Sequence, residues 1–349
     1  MKLSPIAMGL AIACAGTAAQ AQSNVQIFGL IDTNVTHLSS SGAGSVTRLG
    51  TDGNQSSRIG FRGTEDLGGG LKAGFWLEAA INPDVGTGGS TSADNLKNQS
   101  GGLTFGRRST VSLMGKWGEL RLGRDYTPGF WNLSKYSAFG TNGVGSSASL
   151  FYPVKARITH VRASNSVGYH LPKMGGLFGQ VMVARGEQTG NSDGNVVGAR
   201  LGYGSGPFSV AVGTTKTTIA ALGDFRQTNI GGSYDFGVAE VMVLWNENKI
   251  GDTKTRSQSV GVQVPVGAAG EIRATLGTVN ATNIANDASH FAIGYVHKLS
   301  KRTVLYTSYG RVKNKDNGTA YTLSSVDADA VTRPGGSSTG FEFGIRHNF

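Results

Sequence analysis

The final nine residues, Phe341-Glu-Phe-Gly-Ile-Arg-His-Asn-Phe349, place Phe341, Phe343, Ile345 and Phe349 on one parity and Glu342, Gly344, Arg346 and Asn348 on the other. Successive side chains of a strand point to opposite faces, so this is a strand with one apolar and one charged face. A soluble sheet uses such a strand in its core. A membrane barrel turns the apolar face to lipid and the charged face to water.

The same pattern recurs along the chain. Strands are predicted at 25–35, 58–66, 71–81, 103–114, 119–125, 158–171, 177–186, 195–204, 208–218 and 226–236. Six more follow at 239–249, 256–266, 271–281, 289–299, 303–313 and 338–349. Short turns such as Gly68-Gly-Gly70, Gly204-Ser-Gly-Pro207 and Asp235-Phe-Gly237 alternate with longer polar loops such as 83–102, 187–194 and 314–337. Short turns at one end and long loops at the other describe an outer-membrane barrel. A soluble sandwich also alternates, but sixteen strands exceed the comfortable size of an open twisted sheet. The expected fold is therefore all-β, a 16-stranded antiparallel transmembrane β-barrel, wide enough for an aqueous channel. The 54 glycines argue against a helical protein, and the regularly spaced Val, Ile, Phe and Tyr argue against disorder.

Lys2, the apolar run Ile6 to Ala15, and the small-x-small Ala19-Gln20-Ala21 read as a secretory signal peptide over 1–21. Residues 22–349 then form the barrel domain. A lipoprotein signal ending at Cys14 is the alternative, but Ala11-Ile12-Ala13 lacks the usual leucine. Cys14 is the single cysteine, so the mature chain is expected to have no disulfide or thiolate metal site. Loss of Lys2 lowers the formal charge from +10 to +9. Such a charge suits nucleic acid, an anionic membrane surface or small anions. The basic residues form no runs and no nucleic-acid signature, so nucleic acid is not expected as a partner.

One connection is longer than the rest. Residues 126–157 carry Phe130, Trp131, Tyr136, Phe139, Leu150, Phe151 and Tyr152. Loops of this length are usually functional or disordered, and this aromatic density suggests packing against the inner wall of the barrel. From Tyr126 to Gly186 there is no Asp or Glu, while Lys135, Lys155, Arg157, Arg162, Lys173 and Arg185 are present. A loop folded into the lumen would thus form a constriction free of acids on its own side.

Parity sorts the wall. Ile59 and Phe61 facing lipid put Arg58 and Arg62 in the lumen, and Phe75, Leu77 and Ile81 put Glu78 there. Val111 and Leu113 facing out bring Arg108 in and turn Arg107 out, unless a bulge shifts the register. Val167 and Tyr169 facing out bring His160 and Arg162 in. A plainer reading makes each arginine an interior charge paired with an acid. Two unit charges about 6 Å apart interact by roughly 3 kcal/mol at an effective dielectric near 20, and a bias of about 1.4 kcal/mol is tenfold in occupancy. Two or three uncompensated arginines at a narrow point therefore suffice to favour anions. No HExxH, G-x-S-x-G elbow or phosphate-binding loop occurs, so neither an enzyme nor a bound cofactor or metal is expected.

Longer motifs carry a family resemblance across nearly the whole mature chain. They include Val25-Gln-Ile-Phe-Gly-Leu-Ile-Asp32, Ser57-Arg-Ile-Gly-Phe-Arg-Gly-Thr-Glu-Asp-Leu67, Phe105-Gly-Arg-Arg-Ser-Thr-Val-Ser-Leu113, Gly118-Glu-Leu-Arg-Leu-Gly-Arg-Asp125 and Gly294-Tyr-Val-His-Lys-Leu-Ser-Lys-Arg-Thr303. With the terminal Gly344-Ile-Arg-His-Asn-Phe349, the chain resembles the general porins of beta-proteobacteria, most closely their anion-selective type. The resemblance implies a homotrimer in the Gram-negative outer membrane, in contact with lipid and lipopolysaccharide and passing small hydrophilic solutes and anions. It implies that loop 126–157 folds into the lumen and that Phe349 belongs to the signal read by the barrel-assembly machinery. It further implies an anion filter at Arg58, an arginine of the Arg107-Arg108 pair and Arg162, with Glu78 as a nearby wall carboxylate. Arg62, Lys155 and Arg157 complete the expected constriction. The competing expectations are a substrate-specific channel and a structural or adhesive barrel with a plugged lumen.

Overall fold

The structure, a computed structural model, describes residues 24–89, 102–152, 160–284, 286–323, 331 and 333–349. The chain opens with β1 (Asn24–Ser40), β2 (Gly44–Thr51), β3 (Arg58–Gly68), β4 (Leu71–Asn82) and the two-residue β5 (Thr87–Gly88). Next come β6 (Arg108–Gly115), β7 (Gly118–Tyr126), the helices α1 (Pro128–Lys135) and α2 (Ala148–Phe151), β8 (Arg162–His170) and β9 (Leu177–Ala184). The remaining wall is β10 (Val196–Ser205), β11 (Phe208–Thr217), β12 (Phe225–Asp235), β13 (Glu240–Ile250) and β14 (Thr253–Val266). It ends with β15 (Gly270–Thr282), β16 (Ala288–Lys298), β17 (Thr303–Asn314) and β18 (Ser337–Asn348).

Successive strands of the wall pair antiparallel, and β1 closes the ring on β18 from Leu30↔Asn348 to Ser40↔Ser338. On its other edge β1 pairs first with β3 and then with β2, so these two make one wall strand interrupted at 52–57. With β5 a small flap on β4, the described residues form a closed 16-stranded antiparallel barrel. Closure leaves the described wall without a free sheet edge, which is the condition for β-structure in hydrocarbon. No described helix is long and apolar enough to cross a membrane.

The wall is apolar outside. Val212, Ile230, Val243, Val260, Leu276, Phe291, Phe341 and Phe343 are all exposed. The alternate parity holds Thr215, Gln227, Asn229, Asn246, Asn248, Ser257 and Glu342, all buried. The terminal strand thus follows its sequence pattern, with its Phe341 face outward and its Glu342 face inward. The short turn Gly68-Gly69-Gly70 runs through three positive φ angles of 84°, 60° and 82°, conformations that side chains with a Cβ resist.

Three details differ from the sequence expectation. Gly44–Thr51 is an additional strand. Val46 and Thr47 are both exposed there, so no inside–outside difference marks the sequence. β6 starts at Arg108 rather than 103, and β8 starts at Arg162 rather than 158.

Candidate functional site

The interior is narrowed by the described part of the long loop, residues 126–152. Pro128 at the first position of α1 fixes φ for helix entry and needs no N–H partner. The helix docks on the inner faces of β10, β11 and β12. The Gly129 N–H donates to Thr215 Oγ1 at 3.0 Å, and Asn229 Nδ2 donates to the Gly129 carbonyl at 2.9 Å. Asn132 Nδ2 donates to Asn229 Oδ1 at 2.9 Å and to the Ala211 carbonyl at 3.2 Å, while Asn132 Oδ1 accepts from Arg200 Nε at 2.7 Å.

Further along, Gln263 Nε2 donates to the Ala138 carbonyl at 2.7 Å, and Asn248 Nδ2 donates to the Phe151 carbonyl at 2.8 Å. Phe130, Leu133, Tyr136, Val144, Leu150 and Phe151 pack on Ala211, Leu244, Val279, Ala288 and Val312 to form the main apolar core. The wall makes room with an inward glycine: a Cβ on Gly231 would run into the Tyr136 ring. The loop therefore lies flat on one half of the wall.

The opposite half carries the arginines. The 52–57 interruption turns inward because Asp32 Oδ2 accepts the N–H groups of Asn54 and Gln55 at 2.9 and 2.6 Å. That turn meets the loop where Asn142 Nδ2 donates to Ser56 Oγ at 2.9 Å. Gly143, at φ 71°, approaches so closely that a Cβ there would collide with the Gly53 carbonyl oxygen.

Between turn, loop and wall lies a recess of about 630 Å³. Its described lining brings together Arg58, Arg62, Arg107, Arg108, Arg162, Arg273 and Arg346 with a single acid, Glu78. The loop side is neutral, lined by Ser134, Ser137, Thr141 and Asn142 among others.

The arginines are held in a stacked and ion-paired array. Arg107 Nε sits 2.6 Å from Glu78 Oε1, and Arg58 Nε lies 3.8 Å from the same oxygen. Trp76 Nε1 donates to Glu78 Oε2 at 3.0 Å. Arg108 lies 3.7 Å from Asp125, a carboxylate that also pairs with Arg121. The Tyr126 hydroxyl accepts from Arg107 Nη2 at 3.0 Å and from Arg162 Nη2 at 2.7 Å. Arg162 Nε donates to the Arg107 carbonyl at 2.8 Å, and its guanidinium lies 4.3 Å over the Tyr126 ring. Trp76 carries Arg108 at 4.6 Å and Arg62 at 5.1 Å, contacts that favour a cation over a ring face. Arg346 Nη1 donates to Asn54 Oδ1 at 2.7 Å. Neither Arg62 nor Arg346 meets a carboxylate at ion-pair distance among the described residues.

Titration at the loop follows its burial. Burial pushes the Tyr152 phenol up to about 12, opposed by the Arg162 guanidinium, so it is neutral at physiological pH. Burial and then Arg200 lower the Lys135 ammonium. Lys135 points away from the recess, donating to Ser209 Oγ at 2.9 Å and lying 4.5 Å over the Phe178 ring.

Of the sequence-predicted residues, Arg58, Arg62, Glu78, Arg108 and Arg162 reach the recess as parity required. Arg107 does not face out. It lies in the bend before β6, where strand alternation does not operate, and its N–H donates to the Glu78 carbonyl at 3.0 Å. Lys155 and Arg157 lie outside the described residues. The described loop supplies no cation to the recess lining, so the positive charge of the described lining comes from the wall. Sequence reasoning missed Tyr126, Trp76 and Arg273 as parts of the array. Arg273 shares inward parity with Thr275, which was open to the same alternation argument.

Comparison with known proteins decides the family. The Gram-negative porin family matches residues 7–317. The chain belongs to that family. The porin is 40% identical to outer membrane porin protein 32 of Delftia acidovorans, with all of both chains covered. It is 28% identical to an outer membrane porin protein of Bordetella pertussis, covering 90% of this chain and 95% of that protein. Among solved structures, the anion-selective porin from Comamonas acidovorans superposes with a TM-score of 0.83 at 39% identity, covering 94% of this chain and 100% of that chain. The trimer form of OmpT from Vibrio cholerae shares the fold, with a TM-score of 0.67 at 16% identity over 94% of this chain and 99% of that chain. These relatives and the closed barrel make this chain a channel-forming protein of the Gram-negative outer membrane, crossing it by strands.

Asn132 anchors the docked helix to the wall. Asn132→Ala leaves Arg200 Nε and Asn229 Oδ1 short of a partner, at a cost of about 1–3 kcal/mol of loop docking. Planar-bilayer recordings should then show a noisier open state and altered single-channel conductance. Recordings identical to the parent would mean that these bonds do not hold the loop.

Proposed function

We propose that the recess is the selectivity neck of a passive diffusion channel that favours small anions, including small organic acids. Arg58, Arg108 and Arg162 are its central cations. Arg107 mainly neutralises Glu78, and Arg62, Arg273 and Arg346 extend the positive surface. The observation that carries this reading is the described lining itself: seven arginines and one glutamate face uncharged residues of the loop. An arginine keeps its charge across the pH range of living cells, so the field at the neck is permanent. Low-dielectric walls strengthen that field, and added salt weakens it within a Debye length of about 10 Å at 0.1 M. The name of the Comamonas relative, an anion-selective porin, agrees with this reading.

Neutralising three arginines tests it. R58Q/R108Q/R162Q should move the zero-current potential in a salt gradient toward the cation side, by the equivalent of about tenfold in permeability ratio. An unchanged potential in a folded triple variant would sink the assignment. Block of the parent channel by one solute at micromolar concentration would favour a substrate-specific channel instead.

We further propose that residues 1–21 are removed on export, that the chain assembles as a homotrimer, and that Phe349 is read by the barrel-assembly machinery. Phe349 continues β18: its N–H donates to the Gly29 carbonyl at 3.1 Å, and its exposed ring stays on the outward parity. Deleting Phe349 should lower the amount of heat-modifiable trimer in outer-membrane fractions several-fold. A yield equal to that of the full chain would contradict the proposed role.

A further inference from the structure

The wall strand made by β2 and β3 holds more chain than it can pair. Thr51 pairs with Thr33 and Arg58 with Leu30, so the six residues 52–57 span only Ile31 and Asp32 of β1. The surplus must leave the sheet. On the outside, where Ile31, Val35 and Leu49 are apolar and exposed, its peptide groups would lie in apolar surroundings without partners. It folds into the lumen instead, and something must hold it there.

Asp32 holds it at both ends and in the middle. Its carbonyl accepts from the Asp52 N–H at 3.2 Å and from Ser57 Oγ at 3.1 Å, and its own N–H donates to Ser57 Oγ at 3.0 Å. Its buried carboxylate accepts the N–H groups of Asn54 and Gln55 on Oδ2 and the Tyr306 hydroxyl on Oδ1. Tyr306 stands on β17 and reaches Asp32 across β18, where its ring lies so close over Gly344 that a Cβ there would run into it.

The turn in turn holds two recess arginines. Asn54 Oδ1 accepts from Arg346 Nη1 at 2.7 Å, and the Ser56 carbonyl accepts from Arg58 Nη1 at 3.0 Å. Arg346 depends on this contact most, because it meets no carboxylate at ion-pair distance among the described residues and its Nε is buried without a described partner. A long arginine side chain released from such a contact spreads over many rotamers, and its charge spreads with it.

We propose that Asp32 is a positioning residue of the channel: it holds turn 52–57 as a second, rigid jaw facing the docked loop and, through Asn54, aims Arg346 into the recess. The jaw rests on the channel alone. The aim of Arg346 deepens the proposed anion preference and rests on that reading.

The test uses the full porin in planar bilayers, with folding checked by heat-modifiable migration. Asp32→Ala takes the acceptor from two turn N–H groups and the Tyr306 hydroxyl, and should raise open-channel current noise several-fold. Gly53→Ala perturbs the jaw without touching Asp32. Its Cβ would collide with the Tyr306 hydroxyl and Asn34 Nδ2, and Tyr306 already lies against Gly344, so the turn is pushed inward and conductance should fall. The aim is read as a zero-current potential. R346Q should lower the anion-to-cation permeability ratio several-fold in the parent, but by a factor about twofold or more smaller in an N54A or D32A background, as expected of coupled neighbours. A carboxylate that only stabilised the fold would not couple to that arginine. Parental noise in folded D32A, parental conductance in G53A, or R346Q effects that simply add would each overturn the proposal. Should D32A fail to fold, G53A and the N54A/R346Q pair decide it. R58Q/R108Q/R162Q reads the sign of the neck while noise and conductance read the jaw, so either reading can fail while the other stands.

Discussion

Everything in this porin depends on one closure: β1 pairs along one edge with the last strand and along the other with the second wall strand. A backbone group left unpaired in hydrocarbon costs several kcal/mol, so a sheet in a membrane has no tolerated edge. Closure in turn fixes which parity faces lipid, because a slip of one residue would turn every side chain to the other face. The apolar core is correspondingly unusual. It lies inside the barrel, between the docked loop and a wall otherwise rich in Asn, Gln, Ser and Thr.

That interior is divided by charge. A threonine hydroxyl on β11 and side-chain amides on β12 and β13 hold the loop through its backbone and through Asn132, and the described loop contributes uncharged side chains to the recess. The arginines stand across from it, spaced by Trp76, Tyr126 and Glu78. Stacking on aromatic faces lets guanidinium groups crowd without a carboxylate for each one, so positive charge persists in the recess. In the proposed neck, the docked loop sets width and the wall arginines set sign.

Much of this was legible in the sequence because strand parity is a strict rule inside paired segments. It placed Arg58, Arg62, Glu78, Arg108 and Arg162 in the lumen and the terminal phenylalanines on lipid. It failed at Arg107, which sits in a bend where no ladder enforces alternation. It also failed at Gly44–Thr51, where both faces are exposed and no apolar contrast marks the strand. The absence of acids after Asp125 pointed to the loop that lines the recess, though not to the source of the charge in its described lining. The loop is acid-free, but its described part supplies no cation to the recess either, and the charge of the described lining comes from the wall. Tyr126 and Trp76 were illegible because their roles depend on which arginines three-dimensional closure brings beside them.

The central claim is a positive potential at the neck, and it can be read where the loop faces the arginines. Ser134 lines the recess from α1, and Cys14 is the chain's single cysteine, within the proposed leader. A Ser134→Cys porin treated with methanethiosulfonate reagents of similar size and opposite charge reports that potential directly. The anionic sulfonatoethyl reagent should react about tenfold faster or more than the cationic trimethylammonium reagent at low salt, with the ratio shrinking as salt is added. Equal rates, or a faster cation, would contradict the account.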